Sequence, residues 1–238
     1  MTIDKMHILF RVLLDRVDAN YYRNLLAEEV DIFLNEAQDM FLKQRYGGNN
    51  VKSTSFEETQ KRIEDIRNIL IPDAVLSLSS NQTGAKPNGF FYDLPLDYFI
   101  AVQEEAEIIY TDCNGNNTSS RLGFVSCTLD EYNNVVENPF EIPEPSKSKD
   151  AYGKRLMFDR LEALTFGKFN INKYFLTYIK KPNEMRYGTQ YISPTTDIQC
   201  ELADITHREV VKIAVDLALE TYESRRVATF GKTIQTQE

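Results

Sequence analysis

Apolar positions recur at helical spacing through the first third of the chain. The first stripe contains Met6, Leu9, Phe10, Leu13 and Val17, and the second contains Tyr22, Leu26, Val30, Phe33, Leu34, Ala37, Met40 and Phe41. A spacing of three or four residues places such side chains on one face of an α-helix. The segment that begins at Ser55 predicts a third helix, because Ser55 and Glu58 have the spacing of a capping box. We expect Pro72 to end this helix.

The middle of the chain changes to the pattern of β-strands. Residues 98–110 are rich in Ile, Val, Phe and Tyr and predict a strand that the acidic residues 104–107 interrupt. Asn114-Gly115-Asn116 predicts a hairpin turn, since Asn and Gly tolerate positive φ, and residues 122–127 are the expected returning strand. Residues 155–166 and 174–180 predict two more strands. Residues 79–95, with Phe90, Phe91 and Tyr92, predict either a loop with an aromatic tip or a short edge strand. Thr128 with Glu131 predicts a capped short helix.

A long helix is the clearest element near the end of the chain. Thr206 and Glu209 have capping-box spacing, and an apolar stripe follows from Val210 to Tyr222. The predicted fold class is α+β, with an N-terminal helical bundle, a long C-terminal helix, an inserted, mainly antiparallel β element and extended arms. The predicted boundaries are 1–78 for the N-terminal helices, 79–200 for the β-rich insertion and 201–238 for the C-terminal helix and polar tail. Residues 138–149, with three prolines, predict an extended arm.

Charge is distributed unevenly along the 238 residues. The net charge of −9 argues against a protein that coats nucleic acid. Residues 87–146 carry eleven acidic side chains against Arg121 alone, and residues 147–190 carry ten basic and four acidic side chains. The acidic and basic blocks either pair within one copy of the chain or join one copy to the next, as in head-to-tail contacts that close into rings.

The sequence contains no recognisable catalytic motif, and we predict neither an enzyme nor a cofactor or metal site. Its three cysteines form no CxxC pair, which argues against a disulfide framework and a zinc site and favours folding in a reducing cytoplasm. No apolar run is long enough to cross a bilayer. Cys200 and His207 could form a reactive pair, but no third group that would orient them is indicated.

A cluster of carboxylates is the best candidate for metal chemistry. Glu104, Glu105, Glu107 and Asp112 lie close together in the sequence. In a strand, however, Glu105 and Glu107 share one face while Glu104 points to the other. We therefore favour an acidic edge that contacts solvent or a partner.

Several helix and strand segments resemble virion structural proteins of crAss-like and related tailed bacteriophages. The segments are TIDKMHILFRVLLDRVDANYYRNLLAEEVDIFLNEAQDMFLKQRY at 2–46, FEETQKRIEDIRNIL at 56–70, NKYFLTYIKKPNEM at 172–185 and CELADITHREVVKIAVDLALETYESRR at 200–226. The resemblance implies a ring or adaptor protein of the head-to-tail connector and tail barrel below the portal, assembled in about twelve copies. It implies no catalytic or cofactor-binding residues.

This resemblance also implies the partners of the chain. These are other copies of itself, the portal protein, other ring and tail proteins, and genomic DNA that passes through the lumen without specific binding. The expected location is the virion, after synthesis in the host cytoplasm. The candidate subunit-interface residues are Phe90, Phe91, Tyr92, Glu104, Glu105, Glu107, Lys180, Lys181, Arg225 and Arg226. Two alternatives stay open, a metal-dependent phage enzyme that processes nucleic acid and an assembly chaperone.

Overall fold

The chain divides into two compact units. One contains residues 1–69 and 182–238, and the other contains residues 70–181. A computed structural model describes residues 1–17, 25–46, 60–79, 84–112, 114–145, 152–157 and 159–221, with side chains as far as residue 14 in the first range. The sequence-based boundaries of the insertion, 79 and 200, lie later in the chain than the divisions after Ile69 and Lys181.

Three long helices form the core of the first unit. They are α1 (Ile3–Val17), α2 (Ala27–Tyr46) and α5 (His207–Thr221), and the short α3 (Gln60–Ile66) is followed by a 3-10 turn, Arg67–Ile69. Their buried apolar side chains recur every three or four residues, as the sequence predicts. They include Ile3, Met6 and Phe10 of α1, Leu34 and Phe41 of α2, and Val210, Val215 and Leu219 of α5.

A buried carboxylate joins the first two helices to the segment that follows Pro182. Oδ1 of Asp31 on α2 lies 2.8 Å from Nε2 of His7 on α1. Its Oδ2 accepts the backbone N–H of Tyr187 at 2.8 Å and the hydroxyl of Tyr191 at 2.6 Å. His7 and Asp31 are both almost completely buried. One carboxylate therefore satisfies donors from two separate parts of the unit.

A second charged group, Arg45 of α2, joins three helices. Its guanidinium pairs with Asp65 of α3, Nε to Oδ2 at 3.1 Å, and with Glu209 of α5. This arrangement corrects the predicted capping box at Thr206. Glu209 is turned toward Arg45, and the Thr206 hydroxyl donates to the Ala203 carbonyl at 2.8 Å. A tertiary ion pair has replaced the local hydrogen bond that the spacing predicts.

The second unit is built on a seven-stranded sheet. Its strands are β1 (Leu70–Leu76), β2 (Gly89–Tyr92), β3 (Tyr98–Thr111), β4 (Asn117–Ser126), β5 (Gly153–Met157), β6 (Leu161–Leu164) and β7 (Asn170–Lys180), and α4 (Leu129–Glu137) follows β4. The strand order is β1-β7-β3-β4-β5-β6-β2. Only the β4–β5 pair is parallel among the described strands, because α4 and the arm after it return the chain to the same end of the sheet.

The sheet curls until its two outer strands meet. An antiparallel bridge joins Leu78, just after β1, to Tyr92 of β2. The Ser79 amide donates to the Phe91 carbonyl at 2.9 Å, and the Asp93 amide donates to the Ser77 carbonyl at 3.1 Å. The interior is filled by an apolar and aromatic cluster. Its largest members are Tyr92, Phe124, Phe169, Tyr174 and Tyr178. The predicted α+β class with a mainly antiparallel β element is confirmed.

Local turn and cap chemistry agrees with the sequence at two places. In the β3–β4 turn, Gly115 has φ of 82° and Asp112 Oδ1 accepts the amides of Asn114 and Asn116. At the start of α4, Thr128 and Glu131 form the predicted capping box in both directions.

The aromatic segment 88–92 contains a short edge strand, β2, which is one of the two predicted alternatives.

Three predictions about the β region are wrong. Pro72 does not end a helix but lies inside β1, at the irregularity in the pairing of β1 with β7 between Ile71 and Ala74. Proline is tolerated there because the ladder does not require its missing N–H. The acidic residues 104–107 do not interrupt β3, which runs without a break to Thr111. The expected strand at 155–166 is divided into two strands, β5, which ends at Met157, and β6, which begins at Leu161.

Some predicted features lie outside the described residues. These are the capping box at Ser55, the start of the second helical stripe at Tyr22, the end of the arm at 146–149, and Tyr222 with the tail.

Replacement of Asp31 by Ala should destabilise the helical unit, because it leaves two buried or half-buried donors and the His7 ring without their shared acceptor. We expect the free energy of unfolding to fall by roughly 2–4 kcal/mol. Urea unfolding followed by circular dichroism at 222 nm measures this loss. Asp39→Ala on the same helix, where Asp39 is half-buried, is the matched control and should cost under about 1 kcal/mol. Equal losses would contradict the role of Asp31.

Candidate functional site

A buried carboxylate, Glu104 of β3, forms the centre of the most polar part of the second unit. Arg155 of β5 donates from Nε to both carboxylate oxygens at 2.8 Å and from Nη2 to Oε1 at 2.7 Å. The hydroxyl of Tyr174 on β7 donates to Oε2 at 2.8 Å. The Glu104 side chain is 5% exposed and the Arg155 side chain 15% exposed. The carboxylate is thus neutralised and hydrogen-bonded, as a buried charge requires.

The tyrosines around this carboxylate are held in their neutral form. Burial, followed by the adjacent Glu104 carboxylate, raises the pKa of Tyr174 well above the usual value for a phenol. Burial also raises the pKa of Tyr92, whose ring centroid lies 5.0 Å from that of Tyr174, to about 12. The pKa of Tyr178 is raised to about 12 by burial and by its hydrogen bond to Asp97. The interior of the sheet therefore disfavours negative phenolates.

The other two glutamates of β3 face outward, as the strand alternation predicts. Glu105 pairs with Arg121 of β4 at 3.2 Å, and the Arg121 guanidinium lies 4.6 Å from the centroid of the Phe175 ring. Glu107 lies opposite Arg121 on β4 and opposite Lys173 on β7 in the register of the sheet. These cross-strand neighbours of opposite charge explain how an acidic run fits inside a continuous strand.

Among the described residues, the acidic and basic blocks of the sequence pair within one copy at four positions. Besides Glu104 with Arg155, Asp93 lies 3.7 Å from Arg160, Glu141 pairs with Lys154 at 2.9 Å and Glu144 pairs with Lys168 at 2.9 Å. The last two pairs hold the start of the arm 138–149 against the sheet. Pairing within a copy, one of the two explanations of the charge pattern, therefore accounts for part of it.

A groove opens on the second unit between β3 and β4. It has a volume of about 590 Å³ and is lined by residues 101–105 of β3 and 123–126 of β4, with Arg121, Tyr152 and Arg155. The Glu104–Arg155 pair crosses it from β3 to β5. Tyr152 lies over Gly123, where an added Cβ would come 3.3 Å from the ring. The groove is therefore a candidate site of this unit, with both charged and aromatic side chains in its lining.

The structure brings only part of the predicted interface set together. Tyr92 and Glu104 are buried and both contact Tyr174, while Phe90 and Phe91 are half-buried on β2. Lys180 ends β7, and the exposed Lys181 donates its backbone N–H to the Asp97 carbonyl at 2.6 Å. Arg225 and Arg226 lie outside the described residues. Arg155, Tyr174 and Tyr152 were not singled out from the sequence, which carries no signal for their long-range contacts.

The described residues assemble no constellation for metal or thiol chemistry. No three His, Cys, Asp or Glu side chains among them are placed to hold a metal ion. Asp112 is engaged in the hairpin turn. The Cys200 thiol contacts Gln38 at 3.4 Å, and burial raises its pKa to about 11, which disfavours the thiolate. The two His207 nitrogens contact the Leu202 carbonyl and Met1 instead. No helix within the described ranges is long and apolar enough to cross a membrane.

Comparison with known proteins gives matches over most of the chain. The family description "phage tail ring protein 3/4" matches residues 1–229. The chain is similar to ring protein 3 of Bacteroides phage crAss001, with 26% identity over 205 residues, 80% of this chain and 83% of that protein. It is also similar to ring protein 4/5 of the same phage, with 22% identity over 233 residues that cover 94% of each chain.

Glu104→Gln should lower the stability of the β unit, because it leaves the Arg155 guanidinium partly buried without its counter-charge. We expect a loss of roughly 2–4 kcal/mol in the free energy of unfolding, measured by urea titration. Glu105→Gln changes the same residue type one position along the strand and removes an exposed ion pair with Arg121. It should cost less than about 1 kcal/mol. A larger loss for Glu105→Gln would contradict this assignment.

Alkaline pH should destabilise the β unit. A tyrosine whose pKa is raised by folding contributes stability that is complete below the unfolded pKa, about 10, and is lost as pH rises toward the folded value. With a folded pKa of about 12 for Tyr92, Tyr92→Phe should reduce the slope of unfolding free energy against pH between 10 and 12. The expected reduction is about 1.4 kcal/mol per pH unit. Urea titrations at successive pH values measure the slope. Equal slopes for the two proteins would contradict the raised pKa.

Proposed function

The chain belongs to the phage tail ring protein 3/4 family, and on this premise we propose that copies of it form a closed ring below the portal of the virion. The ring contains about twelve copies, lies in the head-to-tail connector and tail barrel, and lets genomic DNA pass through its lumen. The observation that carries the proposal is the family match over nearly the whole chain. It is supported by two relatives that are themselves named ring proteins.

A ring of identical copies needs two different, complementary patches on each copy, because every subunit contacts its neighbours head to tail. Charged side chains near the surface of a subunit are suited to this contact. The outward-facing Glu105 and Glu107 provide an acidic patch on β3, and Lys180 with Lys181 provides a basic patch at the end of β7. Phe90, Phe91, Arg225 and Arg226 complete the proposed interface. The buried Tyr92 and Glu104 act on it through the sheet that carries these residues.

Passage of DNA requires a lumen that does not retain phosphate groups. The chain carries 36 acidic against 27 basic residues, and an acidic wall repels the DNA backbone at short range. DNA is therefore proposed as a passing partner that is not bound specifically. The portal protein and other ring and tail proteins are the proposed lasting partners, in a virion whose components are made in the host cytoplasm.

A structural role without catalysis is the proposal that fits the site. The strongest carboxylate candidates for a metal-dependent enzyme are engaged elsewhere, Glu104 with Arg155, Glu105 with Arg121, and Asp112 with the hairpin turn. An assembly chaperone would be absent from the mature particle. The ring protein should be present in purified virions in stoichiometric amount.

Charge reversal at the basic patch tests the proposed interface. Light scattering on the purified chain, alone and with its neighbouring virion proteins, should give the mass of a large closed oligomer. Lys180→Glu with Lys181→Glu should weaken this oligomer at physiological salt by about tenfold or more, because it removes the attraction between patches of opposite charge.

Lys5→Glu with Lys43→Glu is the matched control, since both lysines are exposed and lie on the helical unit. It makes the same change of net charge and should leave the mass unchanged. If the Lys180 and Lys181 double variant assembles like the unchanged protein, charge pairing at this patch is wrong. If the unchanged chain stays monomeric with every partner, the ring itself is wrong.

A further inference from the structure

The short helix α4 presents an apolar row and an acidic row on its exposed side. Its buried side packs against an apolar cluster of the β unit. Leu129 and Val136 are seven residues apart, which is almost two helical turns, so they lie on one face. They are 50% and 42% exposed. Asp130 and Glu137 have the same spacing and form a second row, and both are exposed.

A third exposed apolar side chain, Phe140, follows directly after α4. It lies in a turn formed by residues 138–141. The Glu141 amide donates to the Asn138 carbonyl at 3.0 Å, and the Phe140 amide donates to Asn138 Oδ1 at 3.1 Å. Asn and Pro at the first two positions favour such a turn. Phe140 is 97% exposed. Because the turn already fixes its backbone, little further ordering is needed when the ring is buried against a partner.

These side chains form a surface that we call the α4 face, made of Leu129, Val136, Phe140, Asp130 and Glu137. Residues 122–146 contain five acidic side chains and no Lys or Arg. Three of the five carboxylates are bound within the copy, one in the capping box of α4 and two in the ion pairs that hold the arm. The other two belong to the α4 face. A partner that combines apolar with positively charged side chains would therefore complement this face.

Another part of the β unit has this combination. Residues 95–98 form a turn that a backbone hydrogen bond of 3.0 Å closes, and Leu96 in this turn is fully exposed. The Asp97 carbonyl accepts the Lys181 amide at 2.6 Å, and the Asp97 carboxylate accepts the Tyr178 hydroxyl at 2.9 Å. The turn is thereby fixed to the end of β7, where the two lysines of the basic patch lie. We call Leu96, Lys180 and Lys181 the Leu96 patch.

We infer that the Leu96 patch of one copy docks on the α4 face of a second copy. Leu96 packs against the apolar row, and the two lysines lie against Asp130 and Glu137. The charges are complementary, since two lysines outweigh the single carboxylate of Asp97 on one side, and the other side carries two carboxylates. Exposed apolar groups with a polar rim are typical of protein interfaces, and complementary charges set the orientation of the partners.

The inference rests on the proposed ring function, because it identifies a contact between subunits of the ring. Each copy carries one α4 face and one Leu96 patch, at different places in the β unit. The contact is therefore heterologous, and its repetition around an axis closes a ring. It gives the lysines of the proposed interface a specific surface on the neighbouring copy.

Charge exchange in the full chain tests this contact. Asp130→Lys with Glu137→Lys should weaken the oligomer, alone or with its neighbouring virion proteins, by about tenfold, as Lys180→Glu with Lys181→Glu should. A chain with all four changes exchanges the charges across the contact and should assemble within about threefold of the unchanged protein. Light scattering over a range of concentrations measures the midpoint of assembly. Changes at β7 cannot repair a misfolded α4, so recovery separates a lost contact from a lost fold.

Glu36→Lys with Glu184→Lys is the matched control, since both glutamates are exposed and lie in the helical unit. It makes the same change of net charge as the double variant of α4. The control should leave assembly unchanged, and it should not rescue the double variant of the two lysines.

Photo-cross-linking tests the apolar part of the contact. Phe140 is replaced by the photoreactive analogue benzoylphenylalanine, and copies labelled with light and heavy nitrogen are mixed before assembly. After irradiation, mass spectrometry should find links from position 140 to residues 94–98 that join light to heavy copies. The same analogue at Ile192, which is 79% exposed and lies in the helical unit, is the control position and should give no link to this segment.

Each other result overturns the inference in a distinguishable way. Links only within copies of one label, or only to a different virion protein, would show that position 140 does not contact a second copy of this chain. Failure of the four changes to restore assembly, or rescue of the lysine variant by Glu105→Lys with Glu107→Lys instead, would overturn the inference and leave the ring standing. A chain that stays monomeric with every partner would overturn both.

Discussion

The β unit depends on how a single buried carboxylate is neutralised. Glu104 lies inside a curled sheet that is otherwise filled by aromatic and apolar side chains. The charged carboxylate is compatible with that interior because Arg155 of β5 and Tyr174 of β7 donate hydrogen bonds to it. A buried ion pair contributes little net stability, since desolvation offsets most of the attraction, but removal of one partner is costly. The pair therefore specifies which strands lie together more than it strengthens the fold.

The same ion pair joins β3 to β5 near the point where the β3–β4 ladder ends. Beyond Gly123 the β3–β4 ladder stops and β4 turns to β5. The Glu104–Arg155 contact connects β3 to β5 beyond the end of this ladder. The ion pair crosses the groove that lies there between β3 and β4.

Local sequence patterns predicted those features that depend on local forces. The helical stripes at Met6, Val30 and Val210 correspond to α1, α2 and α5, and Asn114-Gly115 lies in the hairpin because glycine adopts positive φ there. The resemblance to crAss-like ring proteins, read from helix and strand segments, is confirmed by the family match. Residue spacing was sufficient wherever the stabilising contact lies within one or two turns of the chain.

Long-range partners were the part that spacing could not predict. Arg155 is 51 residues from Glu104 in the sequence, and no periodicity connects them. Strand alternation predicted that Glu104 faces away from Glu105 and Glu107, but it did not predict that Glu104 is buried against Arg155. Glu209 was assigned to a local cap for the same reason, although Arg45 of another helix binds it. The β1 strand was not predicted, because a proline after a helical pattern indicates the end of a helix. Its pairing with β7, which makes residues 70–76 a strand, could not be known from the sequence.

The proposed functional form of this chain is a closed ring of identical subunits in the phage tail. Electron cryomicroscopy of purified virion tails tests it most directly, with averaging about the tail axis. The predicted result is a closed ring into which copies of the two units fit, around a channel that admits double-stranded DNA. Tails that contain no such ring, or that carry the chain only as isolated copies, would contradict the claim.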